Sequence, residues 1–465
     1  MSYIHENLFE LKPQKTLRIL VYPNITYAKD LEKDSYIQVI HSMILELNNI
    51  RDDLFFYLVT PETLPMFSVI PNVQQFVMYF PSYPQNMRMH FNVRDWKILR
   101  HRKWDFDLIF SHLPEHTLNI KNVLYNTSSH NPPVVGYCHW FDIKDVVVST
   151  MHALNYNFVG LLEMKRCYMN TQAQKILVLE EAEKQLSKAN CAKLDEILKV
   201  QHPGIKEEDI IEPYGKRPKG YPIYNDNTQF YEKIIVFNHR PATYKDFDNF
   251  MATMDKLWEQ RQDFKVWIPL LDTPNRPYVY VTTYDKEKYY EELRRCCVGY
   301  SPKQMYGGWS VASTDGIMNG VPYIMYDALY YKELNPNADF FKTNDDAIKL
   351  LNLYLDKMYH RNDKANEGLL YIKENLLYKN EIRQMLEYFD KIVSEEKSIT
   401  DRSGRYKEMI EIVKKEKIIS KYQLTKWINN DRPYGVALNP YRRALLSHPN
   451  IYDCNGLEPH YIWKD

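Results

Sequence analysis

Residues 298–327, VGYSPKQMYGGWSVASTDGIMNGVPYIMYD, decide how the rest of the chain is read. The segment opens as a short apolar strand and passes through a loop carrying Gly307 and Gly308. A helix from about Ser310 to Met318 follows, then a Gly-Val-Pro turn and a second apolar run, Tyr323 to Tyr326. Paired glycines let a backbone approach a ligand closely, and the amides around Trp309 and Ser310 that open the helix suit an anion. Asp315 falls inside that helix, within reach of whatever the loop holds. Asn319-Gly320 ends it, since both residues tolerate a left-handed cap. By itself the segment fits an ordinary strand–loop–helix–strand unit of a parallel sheet equally well.

Upstream, Lys233-Ile234-Ile235-Val236-Phe237 reads as a buried strand. It runs straight into Asn238-His239-Arg240-Pro241-Ala242-Thr243-Tyr244-Lys245-Asp246. Arg240 and Lys245 therefore stand in a loop that follows a core strand, as two loop cations that either meet a ligand or are simply solvated. Phe264–Leu270 is a further strand and Tyr289–Cys297 a charged helix. Downstream, residues 328–334 follow the second apolar run, and 347–358, 366–377 and 381–393 are amphipathic helices whose Tyr and Leu stripes read as core.

The N-terminal half repeats the alternation. Leu17–Tyr22 is a buried strand and Ser35–Leu47 a helix. Strands are predicted at 54–59, 75–79, 107–111 and 133–137, which together argue for a doubly wound α/β domain. His139 follows the last of these, at the carboxyl end where such sheets place ligands. A histidine beside Trp140 and Phe141 is also a common packed residue, so both readings stay open. Residues 146–170 read as helical, 175–179 (KILVL) as a strand and 180–189 as a helix. The stretch 216–230, with Pro218, Gly220 and Pro222, reads as a linker.

These segments carry a resemblance. The donor-binding signature of retaining GT-B glycosyltransferases, especially the family 4 type, runs Pro-Ser, then Glu-Gly-Phe-Gly, then Glu-Ala-Met-Ala-x-Gly-x-Pro. Ser301-Pro302, Gly308-Trp309-Ser310 and Asp315 to Pro322 resemble it in turn. Gly307 stands where the family has its first acid, which helps hold the donor sugar, and Lys303 and Gln304 both remain open as substitutes. Asp315 replaces the second acid, which binds the ribose. Arg240 and Lys245 keep the spacing of the family's Arg and Lys, so the resemblance implies that they neutralise the donor diphosphate. It implies that His139 faces the donor sugar. The His139 loop is similar to that of phage DNA α-glucosyltransferases, which have an acid directly after the His; Trp140 takes that place here, and Asp142 is the nearest acid.

Composition bounds the alternatives. The chain has 465 residues, with 60 basic and 60 acidic side chains, so overall charge argues for no particular partner. Its 38 tyrosines against 14 glycines point to the coding bias of an AT-rich genome. Six cysteines show no metal or scaffold spacing, which favours a reducing compartment. Residues 1–15 lack the apolar stretch of a signal peptide, and no run is long enough to span a bilayer. Residues 405–465 read as a small module of three short helices and an extended tail: 406–415, then 423–428 after a helix start at Ile419-Ser420, then 440–446, with eleven basic and seven acidic residues in all. Lys421, Lys426, Arg442 and Arg443, interleaved with Tyr422, Trp427 and Tyr441, either meet nucleic-acid phosphates or belong to a packing buttress.

The expected fold class is α/β of the GT-B type: two Rossmann-like domains facing a cleft, plus a small C-terminal helical, winged-helix-like module. The expected boundaries are 1–215 for the acceptor domain, 216–395 for the nucleotide-sugar domain and 396–465 for the module. The resemblance implies transfer of a sugar from a nucleoside diphosphate sugar to a hydroxyl, with retention. No cofactor or metal is expected, because cationic side chains do the charge work and no Asp-x-Asp pattern stands in a suitable loop. The module, the coding bias and the His139 loop make hydroxymethylated pyrimidine in double-stranded phage DNA the leading acceptor, in a host cytoplasm and without a membrane. The alternatives are a bacterial cytoplasmic enzyme acting on a polysaccharide, lipid or small molecule, or a catalytically inactive nucleotide-sugar- or DNA-binding protein.

Overall fold

The computed structural model describes residues 17–25, 31–78, 91, 93, 96, 106–127, 132–139, 141, 151–212, 233–271, 273, 275–282, 286–305, 307–401, 405–420, 451–454 and 460–463. Strands β1 (Leu17–Tyr22), β2 (Leu54–Thr60), β3 (Val73–Val77), β4 (Leu108–Ser111), β5 (Val134–Cys138), β6 (Arg166–Met169) and β7 (Leu198–Val200) form one sheet in the order β3-β2-β1-β4-β5-β6-β7. Strands β8 (Ile234–Val236), β9 (Lys265–Trp267), β10 (Val279–Tyr280), β11 (Val298–Ser301), β12 (Tyr323–Tyr326) and β13 (Asp339–Phe341) form a second, in the order β10-β9-β8-β11-β12-β13. Every neighbouring pair of the second sheet is parallel. In each sheet the first six strands follow the doubly wound order 3-2-1-4-5-6, so the chain reverses direction across the sheet between β1 and β4 and again between β8 and β11. Ligands of open parallel sheets bind at that reversal, beyond the carboxyl ends of the strands.

Strand sequences explain their depth. All four residues of β4 and of β11 are buried, as are all five of β5, which matches the unbroken apolar runs of strands covered on both faces. Helices cover those faces: α1 (Ser35–Ile50), α2 (Thr117–Thr127), α3 (Met151–Leu162), α4 (Gln172–Gln185), α5 (Lys188–Ile197), α6 (Phe247–Gln260), α7 (Lys286–Arg295), α8 (Val311–Met318), α9 (Leu329–Leu334), α10 (Asn344–Asp356), α11 (Met358–Asn375) and α12 (Tyr378–Asp401). Two compact units result. One is built within residues 1–137, 152–167 and 385–465, the other within 138–151 and 168–384. After α13 (Arg405–Glu416), strands β14 (Ile418–Ser420), β15 (Ile451–Cys454) and β16 (His460–Trp463) make an antiparallel sheet in the order β14-β16-β15.

Two glycines fix the geometry around the opening stretch. A Cβ on Gly299 would lie 2.2 Å from the Tyr323 ring, and one on Gly316 would lie 2.1 Å from it. The fully buried ring of Tyr323 thus fills the space both residues leave, locking β11, β12 and α8 into one block.

Three sequence expectations are corrected. Residues 175–179 are not a strand but lie inside α4, where the buried positions 173, 174, 178, 181 and 182 recur at helical spacing and Ile176 points to solvent. A run of four apolar residues carries no period of its own, and capping by Thr171 decides the matter. The helix expected over 146–170 stops at Leu162, and Arg166–Met169 is strand β6. Its last three residues are buried, and Lys165 N–H donates to the Val134 carbonyl at 2.8 Å. Ile419-Ser420 does not begin a helix but pairs with β16 as part of β14.

Candidate active site

The site assembles at the reversal of the second sheet. Beyond β8 the chain runs through Asn238, His239 and Arg240 and reaches Lys245 at the end of a single 3₁₀ turn. Asp246 then closes the loop in the left-handed conformation at φ 50°, a geometry an aspartate tolerates better than most residues. Arg240 is exposed, whereas burial pushes the Lys245 ammonium down to about 8, with the nearby Arg240 charge adding to the shift. Among the described residues neither cation pairs with a carboxylate. Lys245 Nζ donates instead to the neutral side-chain oxygen of Gln304. His239, fully enclosed beside Lys245, stays neutral because burial and that ammonium both oppose its charge.

The facing loop comes from β11. Gln304 is buried, while Lys303 is exposed with its ammonium 5.8 Å from the Tyr326 ring centre. Gly307 adopts φ 59°, and a Cβ there would sit 2.9 Å from Leu177 Cδ1. Position 307 therefore disfavours a side chain chiefly through its left-handed conformation, since Leu177 Cδ1 is the end of a side chain that can shift. Gly308 is more open; a Cβ there would meet only Asn170, at 3.8 Å. Ser310 caps α8, its hydroxyl accepting from the Ser313 amide at 3.3 Å, and Ser313 in turn bonds Ser301 at 2.7 Å. Gly320, at φ 74°, terminates the helix as its sequence implies.

Asp315 projects from α8 next to Tyr289, whose hydroxyl lies 3.4 Å from Oδ2. Asn238 holds the Tyr289 oxygen at 2.9 Å, the Ala312 carbonyl at 2.7 Å and, through its own oxygen, the Tyr323 hydroxyl at 3.0 Å. The carboxylate thus stands on a buried polar frame that reaches back to the end of β8.

His139 enters the same compact unit. Burial of its ring pushes the pKa down to about 3, so the imidazole is neutral near pH 7. Its carbonyl accepts from Asn170 Nδ2 at 3.2 Å, and Asn170 Oδ1 accepts from the Trp309 amide at 3.3 Å. Next to it, Thr171 donates its hydroxyl to the Gly307 carbonyl at 2.5 Å while capping α4 at the Gln174 amide. Glu333 accepts from the two amides that open α4, Gln172 at 2.6 Å and Ala173 at 3.1 Å. His202 donates to the same carboxylate at 3.0 Å and lies 5.2 Å from the Trp309 ring. Burial disfavours the His202 charge, but Glu333 and Glu381 outweigh it and raise the pKa to about 9.

The structure therefore gathers Arg240, Lys245, Gly307, Gly308, Trp309, Ser310, Asp315 and His139 into one unit. Asp142, Lys421, Lys426, Arg442 and Arg443 lie outside the described residues, as do the helices expected near 423–428 and 440–446. Sequence reasoning did not single out Asn170, Thr171, Asn238 or Tyr289. Only Thr171 carried a local signal, as a threonine directly before a helix. No cluster of metal-binding side chains occurs among the described residues, and none of their helices is long and apolar enough to cross a membrane.

Two parallel sheets, each wound 3-2-1-4-5-6, define the GT-B type of fold. No protein-family model matches the sequence, and no curated protein matches it either. Solved structures do match in fold. Sucrose-phosphate synthase from Thermosynechococcus elongatus superposes with a TM-score of 0.62 at 11% identity, covering 82% of this chain and 99% of that one. HepE from Anabaena, solved with UDP and glucose, gives 0.56 at 9% identity over 81% of this chain and 100% of its own. The α,α-trehalose 6-phosphate synthase of Burkholderia multivorans gives 0.57 at 11% identity, covering 84% and 99%. At such identities the likeness is one of fold.

Proposed function

We propose that the protein is a glycosyltransferase that moves a sugar from a nucleoside diphosphate sugar to a hydroxyl acceptor. The observation that carries this reading is the pair Arg240 and Lys245, set at the sheet reversal without a carboxylate partner among the described residues. A partly buried cation beside another cation is unfavourable until an anion arrives. A diphosphate supplies that anion, and its charge grows as the bond from the anomeric carbon to the phosphate oxygen breaks. Stabilising the departing group there lowers the barrier. The solved structures with UDP or UDP-sugars, HepE among them, support a nucleotide-sugar donor by fold.

The other residues take their proposed roles from placement. Asp315, on its Asn238–Tyr289 frame, receives the ribose hydroxyls. Gly308 brings backbone close to the donor, and the Ser310-capped start of α8 faces phosphate. Neutral His139 offers a hydrogen bond to the transferring sugar. The acceptor hydroxyl attacks on the face from which the diphosphate leaves, and its proton passes to the departing phosphate oxygen, so configuration is retained. The resemblance of the donor segments supports retention. For the acceptor we propose a hydroxymethylated pyrimidine in DNA, supported by the basic 405–465 region and the likeness of the His139 loop to phage DNA α-glucosyltransferases.

The test pairs UDP-, GDP- and ADP-sugars with plain or hydroxymethylpyrimidine DNA and reads intact nucleoside mass after digestion. A sugar-sized gain on modified DNA alone is the expected result. Nucleoside diphosphate release without DNA modification moves the acceptor to another hydroxyl compound. The absence of both donor binding and donor cleavage with all of these sugars would sink the glycosyltransferase reading.

A further inference from the structure

Lys245 is unusual in what holds it. Its ammonium donates to Gln304 Oε1, a neutral acceptor in a buried setting. Gln304 is itself fixed by two tyrosines. Its amide N–H donates to the Tyr330 hydroxyl at 2.8 Å, and its Nε2 donates to the Tyr331 hydroxyl at 3.0 Å. Tyr331 passes the restraint on to the Pro302 carbonyl at 2.8 Å. Both tyrosines are buried on α9, and burial raises both phenol pKa values, Tyr330 to about 12, so they are neutral hydrogen-bonding posts. A second tie, from the Met305 amide to the Tyr244 carbonyl at 3.3 Å, joins the same two loops.

We infer that Gln304 is the positioning residue for Lys245: its carboxamide seats the ammonium on a neutral oxygen and leaves the positive charge for a diphosphate. A glutamate in that seat would have the same length and the same reach. It would also neutralise the cation internally, and an incoming phosphate would then compete with a carboxylate already in place. An apolar residue would leave the ammonium without a fixed direction. The amide is the one choice of these that orients without discharging.

Among the described residues, the charged and titratable groups around Lys245 are few. On its own loop are Arg240, neutral His239, the Tyr244 ring 5.7 Å away and Asp246, whose carboxylate accepts from Asn249 Nδ2 at 3.0 Å. From the β11 loop comes Gln304, and from α9 the two tyrosines. Lys332 on α9 pairs with Asp327 at 2.5 Å.

This inference rests on the diphosphate reading of the site, and two readouts separate them. The first follows nucleoside diphosphate binding by calorimetry from pH 6.5 to 9.5 in the full chain, wild type against Gln304→Glu and Gln304→Met, with melting temperatures as a folding control. Wild-type affinity falls about tenfold per pH unit once Lys245 deprotonates, above roughly pH 8. Gln304→Glu weakens binding at pH 7 by about ten- to a hundredfold and moves the alkaline fall upward, because a carboxylate now holds the proton on Lys245. Gln304→Met weakens binding without any upward move. The second readout is the Lys245 side-chain NMR titration without ligand. It moves upward in Gln304→Glu whether or not the protein binds a nucleotide. A wild type that binds no nucleoside diphosphate would overturn the donor reading, whereas an unmoved Lys245 titration in a folded Gln304→Glu variant would overturn the seat itself.

Discussion

Strand β8 carries cations at both ends, and the two ends treat them in opposite ways. At the amino end Lys233 lies 2.6 Å from Asp263 and 3.1 Å from Asp356, while Arg261 reaches the same two carboxylates at 2.6 and 2.8 Å. Two positive and two negative groups close a network, and Asp356 is held down at about 2 chiefly by its hydrogen bond to Arg261. At the carboxyl end Arg240 and Lys245 stand side by side with a glutamine where a carboxylate would serve. Charge of one sign balanced locally is structure. Charge of one sign gathered and left unbalanced costs stability and marks a candidate ligand site.

Removing each set of charges should therefore have opposite consequences. Changing Arg240 and Lys245 together to alanine is expected to lower donor turnover by about two to three orders of magnitude, the scale of a lost transition-state charge contact. The melting temperature should hold or rise, because the folded state no longer carries a strained ammonium. The sign follows from linkage: the folded Lys245 pKa of about 8 lies below its ordinary value, so the cost is fully present at lower pH and is relieved as pH climbs past 8. A variant that loses stability and keeps activity would reverse the assignment of the two ends.

A smaller effect is expected from the cap of α4. Thr171→Val removes the hydroxyl that holds the Gly307 carbonyl and the Gln174 amide. Donor kcat/KM should drop by about ten- to a hundredfold through misplacement of the loop, and Thr171→Ser should restore most of it. Kinetics of the two variants at equal melting temperature check this. Equal losses in both would assign Thr171 to packing alone.

The smallest effect belongs to the amino end. Asp263 and Asp356 are about half exposed, so Asp263→Asn is expected to cost no more than about 1 kcal/mol by thermal denaturation and to leave turnover alone. Their depressed pKa values stabilise the fold above the ordinary carboxylate range. That contribution disappears as pH falls towards 2, so the wild type should lose its margin over Asp263→Asn in acid.

Much of this was legible in the sequence, and the reasons differ by element. The strand–Gly-Gly–helix–Gly pattern of 298–327 speaks through local geometry: Ser310 caps, Gly307 and Gly320 take positive φ, and Tyr323 fills the space above two glycines. Each of those features is written within thirty residues. That Arg240 and Lys245 follow a core strand was legible from the residues, which left a ligand-facing and a solvated loop equally open; their diphosphate role came only from the resemblance. What sequence could not give is pairing across distance. Nothing in Gln304 says that it will meet Lys245, fifty-nine positions earlier, and nothing in Asn170 says that it will meet both His139 and Trp309. The error at 175–179 has the same origin, since a short apolar run takes its secondary structure from its cap and its packing.

The central claim is that the carboxyl end of β8 is a diphosphate site and the amino end is not. The direct measurement is calorimetric titration of UDP, GDP and ADP into three proteins: wild type, Arg240→Ala/Lys245→Ala, and Lys233→Ala/Arg261→Ala. The account predicts that at least one nucleotide binds the wild type and the amino-end variant alike, and that the carboxyl-end variant binds it at least tenfold more weakly. Equal binding by wild type and the Arg240→Ala/Lys245→Ala protein would contradict it.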